Sequence, residues 1–100
     1  MKKYIDLPSP GEILYEEFMK PMDISAYRLA NDIGVPVSRI QDILHDRRKI
    51  SVDTSLRLAK YFDVSDEYFF NIQTDIDIRK IKRQIQGEID KIQSRSAVIL

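Results

Sequence analysis

"LANDIGVPVSRIQDIL", residues 29–44, places one glycine between two short amphipathic helical patterns. The first pattern ends at Ile33, and Gly34 follows at the position where many helices end in a left-handed conformation that glycine adopts without strain. The second begins at about Pro36, because proline is tolerated in the first turn of a helix. The stretch therefore predicts two helices that join at a steep angle within three or four residues, which is helix-turn-helix geometry.

The apolar residues of the same stretch fit this geometry. Ala30 supplies the small side chain that two closely crossing helices need at their contact, and Val35 fills the turn. Three residues are predicted to anchor the second helix to the core: Ile40, Ile43 and Leu44. A helix held in this way presents a defined outer face.

That outer face consists of Val37, Ser38, Arg39, Gln41 and Asp42. Such a helix is able to enter a DNA major groove with its N-terminal residues against the base edges. Arg39 suits guanine, Gln41 adenine, Val37 a thymine methyl group and Asp42 the amino group of cytosine. We predict that this face reads DNA bases. The alternatives are an ordinary solvated face and, for Asp42, a structural salt bridge with Arg39 or another neighbour.

Five further residues are predicted to contact DNA phosphates. Arg47, Arg48 and Lys49 follow the second helix of the motif, where cations neutralise phosphates and fix the register of the protein on the duplex. Ser25 and Tyr27 lie at the start of the first helix of the motif, and helix N-termini favour anions. The alternative for the basic run is a solvated loop.

The rest of the chain also follows helical periodicity, and no alternating strand pattern is convincing. Four serines are predicted N-caps: Ser9, Ser25, Ser51 and Ser65. The fourth helix is predicted to bury Leu56, Ala59 and Phe62. These patterns predict an all-α domain of five helices over residues 1–74.

Residues 75–100 are predicted to form an additional C-terminal helix and tail. Isoleucines recur there at spacings of three and four, which indicates one apolar stripe: Ile78, Ile81, Ile85, Ile89 and Ile92. We expect the stripe to pack on the domain or on a second copy of the chain, with binding of a different protein as the alternative. The terminal AVIL is predicted to be frayed or bound to a partner.

Composition restricts the class of protein. The 100 residues contain 16 basic and 16 acidic side chains and carry no net charge, which argues against an indiscriminate nucleic-acid binder but not against a specific one. The chain has no cysteine, which fits a reducing cytosol and predicts a cytoplasmic protein. We expect no signal peptide and no membrane span, because no apolar run approaches the ~20 residues that a span needs.

Neither catalysis nor a cofactor is expected. His45 is the sole histidine, so it has no histidine or cysteine partner for a metal site, and Asp75 and Asp77 lack the spacing of a calcium loop. No serine lies in a nucleophile motif. We therefore predict that the protein is not an enzyme and has no metal and no cofactor.

Three stretches resemble the HigA antitoxin family, a branch of the lambda-repressor-like (Xre) helix-turn-helix proteins. They are "PSPGEILYEEFMKPM" (8–22), "SAYRLANDIGVPVSRIQDIL" (25–44) and "ISVDTSLRLAKYFDVSDEYFFNIQ" (50–73). The resemblance spans residues 7–84. It departs from the family at Ala26, where a glutamine is usual, and at His45-Asp46, where Asn-Gly is usual.

The resemblance implies a five-helix dimeric repressor that binds its own palindromic operator. It also implies a partner, a HigB-like toxin that cleaves mRNA on the ribosome. A homodimer is expected as well because paired half-sites are read by paired helices. Two other functions stay open: a stand-alone Xre regulator without a toxin, and a protein-interaction module that has lost DNA binding. Ala26, Asp42 and the zero net charge motivate the second.

Overall fold

A computed structural model describes residues 8–95; the first seven residues and the last five, including the terminal AVIL, lie outside the described residues. The first helix, α1, is α-helical over Pro10–Ile13 and continues as a π-helix over Leu14–Met19. It is followed by α2 (Ala26–Ile33), α3 (Val37–Leu44), α4 (Val52–Phe62) and α5 (Tyr68–Asp90). All regular elements in residues 8–95 are helices, so the predicted all-α fold class is confirmed.

Three of the four predicted serine caps are present. The hydroxyl oxygens of Ser9, Ser25 and Ser51 each accept a hydrogen bond from the backbone N–H three residues later, at 3.0, 3.0 and 3.3 Å. Each satisfies a donor that has no partner inside the helix. Local sequence alone therefore specifies where α1, α2 and α4 begin.

The prediction that Ser65 caps the fifth helix is wrong. The helix begins at Tyr68, and Glu67 occupies the cap position without a side-chain hydrogen bond. Tertiary contacts with α4 explain the shift, because the hydroxyl of Ser55 donates to the carbonyl oxygen of Asp66 at 3.3 Å and accepts from the backbone N–H of Phe70 at 3.0 Å. These bonds hold the entry to α5 against α4.

The buried face of α4 also differs from the prediction. Ala59 and Phe62 are buried as expected, but Leu56 is 45% exposed and Leu58 is fully buried. The helix buries Thr54 and Ser55 as well. Because this buried face includes two polar residues, apolar spacing alone assigned Leu56 to the wrong side.

The core is formed where all five helices meet. The half-buried ring of Phe18 packs against this core, 4.9 Å from the ring of Phe69 and 5.0 Å from that of Phe62, at tilted angles that aromatic pairs favour. Leu29 and Ala30 of α2 and Ile40 of α3 are each at most 2% exposed. The two helices of the motif are thus held by the same core, as their pattern predicts.

The additional C-terminal helix is joined to the fifth without a break, because α5 continues past Thr74 to Asp90. Its backbone departs from helical angles at Ile85, with φ −114° and ψ 15°. Ile78 and Ile81 are 57% and 49% exposed, so the expectation that the stripe packs on its own domain is wrong for them. None of the helices in residues 8–95 has the length and hydropathy needed to span a membrane.

Candidate nucleic-acid interface

The turn between α2 and α3 has the predicted glycine geometry. Gly34 lies in the left-handed region with φ 75° and ψ 39°, and the N–H of Val35 donates to the carbonyl oxygen of Ala30 at 3.0 Å. Pro36 follows as the cap residue of α3, one position before the helix. The chain therefore leaves α2 and enters α3 within three residues.

Arg57 of α4 ties this turn to the rest of the domain. Its Nη1 donates to the carbonyl oxygens of Ile33 at 2.8 Å and Gly34 at 3.4 Å, while its Nε donates to Oδ1 of Asp53 at 2.8 Å. Local sequence patterns do not predict this role. An arginine four residues after an aspartate is typical of an ordinary surface pair on a helix, and nothing in its spacing points to carbonyl groups of another helix.

The predicted outer face of α3 divides into two free and three constrained side chains. Ser38 and Gln41 are exposed. Val37 is half-buried and packs against the core. Arg39, with a side chain 28% exposed, pairs with Asp53 at 3.5 Å, and Asp42 pairs with Arg47 at 2.9 Å. The salt bridge considered for Asp42 is thus present, with Arg47 as its partner.

The three cations of the basic loop after α3 differ in whether a carboxylate is paired with them. Arg47 pairs with Asp42 at the end of α3, and Lys49 pairs with Asp77 of α5 at 3.0 Å. The side chain of Arg48 makes no hydrogen bond and no ion pair with the described residues 8–95. Arg48 is therefore the loop cation most available to an anion.

A buried glutamine holds this loop in place. Gln73 of α5 is 7% exposed; its Oε1 accepts from the backbone N–H of Ile50 at 2.9 Å, and its Nε2 donates to Asp77 at 3.2 Å. Within the loop, Asp46 lies in the left-handed region with φ 60°, which aspartate tolerates better than most residues. Local sequence patterns do not predict the Gln73 contact, because its partner is 23 residues away.

A recess of about 390 Å³ lies between the turn, α3 and the start of α4. Three arginines line it, Arg39, Arg48 and Arg57, together with Asp53. The recess is thus mainly cationic and contains one carboxylate. It adjoins the outer face of α3, since Arg39 belongs to both.

The two predicted phosphate contacts at the start of α2 are at the surface. Tyr27 is 72% exposed. Ser25 is exposed too, but its oxygen already accepts the capping hydrogen bond from Arg28. Of the two, Tyr27 has the freer hydroxyl. Together with Arg48, Ser38 and Gln41, these residues give the domain polar side chains at the start of α2, on α3 and in the following loop.

A polar network also joins α2 to α4. The Tyr61 hydroxyl donates to Oδ2 of Asp32 at 2.6 Å, and Nε of Arg28 donates to the same oxygen at 2.8 Å. The Tyr61 hydrogen bond, followed by that from Arg28, lowers the pKa of the Asp32 carboxyl, and the same Tyr61–Asp32 bond raises the pKa of the Tyr61 hydroxyl. Both helices adjoin the motif turn, since α2 ends there and α4 contacts it through Arg57. Among residues 8–95, no cluster of three or more histidine, cysteine, aspartate or glutamate residues is arranged to hold a metal ion.

Comparison with known proteins identifies the family. The sequence profile of the helix-turn-helix family matches residues 16–69. The antitoxin HigA of Pseudomonas aeruginosa, solved with the higBA promoter, superimposes with a TM-score of 0.82 at 33% identity, over 90% of this chain and 100% of that one. The chain belongs to the HigA-type helix-turn-helix family. The resemblance predicted from the three sequence stretches is thereby confirmed.

Two further proteins are similar to this chain over most of their length. Antitoxin GraA in complex with its operator has a TM-score of 0.83 at 38% identity, over 97% of this chain and 99% of that one. Virulence-associated protein I of Dichelobacter nodosus is 43% identical over 78 residues, which are 78% of this chain and 72% of that protein. The shared region of this HigA-type chain includes α2, α3 and the loop that carries Arg48.

Proposed function

We propose that this HigA-type chain is a sequence-specific DNA-binding antitoxin that represses its own operon. The observation that carries the proposal is the exposed pair Ser38 and Gln41 on α3, next to a loop whose Arg48 has no ion-pair partner among residues 8–95. Two relatives of the same fold, HigA with a promoter and GraA with its operator, support it. The protein would act where bacterial DNA is, in the cytoplasm.

The free and constrained side chains suggest different roles in DNA binding. Ser38 and Gln41 reach base edges without breaking a contact, and glutamine suits adenine. Arg39 must first break its pair with Asp53, and Asp42 its pair with Arg47. These two side chains therefore contact bases only in the DNA complex. Val37 contributes a methyl contact from the part of its side chain that is exposed. We assign base reading to these five α3 residues.

Phosphate contacts then fix the register of α3 in the groove. Arg48 supplies an uncompensated charge, whereas Arg47 and Lys49 each share theirs with a carboxylate. Ser25 and Tyr27 supply neutral hydroxyl groups from the start of α2. This division of charge reconciles DNA binding with a chain of zero net charge.

We further propose a homodimer. One recognition helix reads only a few base pairs, whereas the two recognition helices of a dimer read two half-sites that lie one helical turn of DNA apart. The isoleucine stripe of α5 is the proposed contact for a second copy or for a protein partner. It is apolar, it lies outside the domain core, and Ile78, Ile81, Ile85 and Ile89 are all at least 36% exposed. In this arrangement residues 1–74 bind DNA and residues 75–100 bind protein.

Neutralisation of a HigB-like toxin, an mRNA endonuclease, is the remaining part of the proposal. Its support is membership of the HigA-type family. The test is to express the small open reading frame next to this gene alone and together with this protein. Growth arrest that the protein relieves, with co-purification of the two, is expected. A harmless neighbour that forms no complex would contradict the antitoxin role and favour a stand-alone regulator.

DNA binding is tested by titrating the purified protein with a labelled duplex from upstream of its own gene. The logarithm of the association constant is expected to fall steeply with the logarithm of the salt concentration, because phosphates contacted by the protein release their counterions. Gln41→Ala is expected to weaken binding by about 1–3 kcal/mol at particular base pairs, whereas Arg48→Ala weakens all sequences and lowers the salt slope by about 1 for each subunit.

Lys60→Ala is the matched control, because it removes one exposed charge from α4 outside the proposed interface. It is expected to leave affinity and the salt slope unchanged. If Gln41→Ala and Arg48→Ala act alike on every sequence, α3 is not the reader. If no specific complex forms at low salt, the protein does not bind DNA and is instead a protein-interaction module.

A further inference from the structure

Two arginines share one carboxylate oxygen beside the motif turn. Oδ1 of Asp53 lies 2.8 Å from Nε of Arg57 and 3.5 Å from Nη1 of Arg39. Arg57 is held independently by the carbonyl oxygens of the turn, at 2.8 and 3.4 Å. Of the two contacts to Asp53, the one to Arg39 is longer, and the side chain of Arg39 makes no other hydrogen bond to the described residues.

We propose that Asp53 is an internal acceptor that occupies Arg39 in the free protein and gives it up to DNA when α3 binds. The inference rests on the proposed DNA-binding function. It makes Asp53, which lies on α4 outside the recognition helix, a determinant of operator affinity. The exchange replaces one carboxylate partner of Arg39 by a base edge or a phosphate.

The position of the Arg39 side chain supports the exchange. Its side chain is only 28% exposed and is directed towards α4, although its backbone lies on the outer face of α3. Asp53 is 60% exposed and remains paired with Arg57 when Arg39 leaves, so release of Arg39 does not isolate the carboxylate. A surface pair of this kind contributes little free energy and is therefore readily replaced by a stronger anionic partner.

The carboxylate also opposes the cations around it. It lies in the recess lined by Arg39, Arg48 and Arg57, where a DNA phosphate would be attracted. Asp53 therefore lowers affinity in two ways, by occupying Arg39 and by repelling phosphate. Only the first depends on Arg39, and this difference separates the proposal from simple repulsion.

The experiment measures operator affinity at low salt for four proteins: wild type, Asp53→Asn, Arg39→Ala and the double variant. Asp53→Asn keeps the shape of the side chain and removes its charge. It is expected to bind the upstream duplex about two- to five-fold more tightly than wild type, the range of a surface ion pair. In the Arg39→Ala background the same substitution is expected to give a smaller gain, because only the repulsion of phosphate is then removed.

Glu16→Gln is the matched control. Glu16 is 56% exposed and pairs with Lys20 four residues later at 3.5 Å, as Asp53 does with Arg57, but it lies on α1, outside the proposed DNA and protein contacts. It is expected to leave affinity unchanged. A thermal unfolding curve for each variant confirms that the fold is intact, and Asp53→Ala serves as a second variant with the same expected gain.

Three outcomes would overturn the proposal. An equal gain in the wild-type and Arg39→Ala backgrounds, or the same gain from Glu16→Gln, would show that loss of negative charge is sufficient. Unchanged or weaker binding by Asp53→Asn would show that Arg39 is not withheld. Absence of any specific complex for the wild type would overturn the proposed function itself, and the inference with it.

Discussion

Replacement of Gly11 by alanine tests how α1 fixes the position of α3. Gly11 is buried in the first turn of α1. A Cβ atom there would overlap the carbonyl oxygen of Ile43 and lie 2.9 Å from that of Leu44. Both atoms belong to the backbone at the end of α3, so no side-chain rotation relieves the overlap. The two helices must move apart.

The expected cost follows from these contacts. Overpacking of a well-packed site costs about 1–3 kcal/mol. Alanine recovers up to about 1 kcal/mol through its higher helix propensity, and less at the first turn. With a gain of about 0.5 kcal/mol at this position, the free energy of unfolding of Gly11→Ala is expected to fall by about 0.5–2.5 kcal/mol. Operator affinity should fall too, because α3 carries Ser38 and Gln41.

Gly87→Ala is the matched control, since it is the same substitution within α5. Apart from its chain neighbours and the nearby backbone of α5 itself, no atom of the described residues lies within 4 Å of a Cβ added at Gly87. This variant is expected to gain up to about 1 kcal/mol from helix propensity. The assay is urea unfolding followed by circular dichroism at one fixed protein concentration, because the proposed dimer would make apparent stability depend on concentration. Equal or greater stability of Gly11→Ala than of wild type would refute the predicted close approach of α1 and α3.

Three further changes have expected outcomes in the same unfolding assay. Gly34→Ala should lower the free energy of unfolding by about 1–2 kcal/mol, because Gly34 has a left-handed φ of 75°; an unchanged free energy would contradict this backbone conformation. Gln73→Leu should lose about 1–3 kcal/mol by leaving the buried N–H of Ile50 without an acceptor, and an unchanged midpoint would contradict this role. The pKa of Asp32 is lower in the folded protein than its ordinary value of 3.8. Ionised Asp32 therefore stabilises the fold above pH 3.8, and this stabilisation is lost as the pH falls through the pKa of the folded state. Tyr61→Phe should therefore flatten the loss of stability as the pH falls below 3.8, and a slope equal to that of wild type would contradict it.

Much of the fold could be predicted from short-range patterns. Gly34 was assigned a positive φ because few residues other than glycine end a helix in that way, and the structure confirms it. Ser9, Ser25 and Ser51 were assigned as caps for a similarly local reason. Ser65 failed as a cap because a contact with Ser55 of α4 decides where α5 begins.

The candidate site was predictable in position but not in side-chain state. Helical spacing placed Ser38 and Gln41 on the outer face of α3, and both are exposed. The same spacing could not show that Arg39 pairs with Asp53, 14 residues away in the next helix. Nor could it show that Arg48 lacks an ion-pair partner within residues 8–95, since neighbouring Arg47 and Lys49 have the same charge and different environments.

The sequence by itself determined the helix-turn-helix motif, because glycine, proline and serine act on the backbone within a few residues of where they stand. Which cations lack a carboxylate partner, and where the packing leaves no room for a Cβ atom, depend on tertiary structure alone. Gly11 reads as one residue of a helix start, yet the approach of α3 is what excludes a Cβ there. Asp53 and Gln73 acquire their roles in the same way. Their partners are distant in the chain, and only packing of the helices brings them within hydrogen-bonding distance.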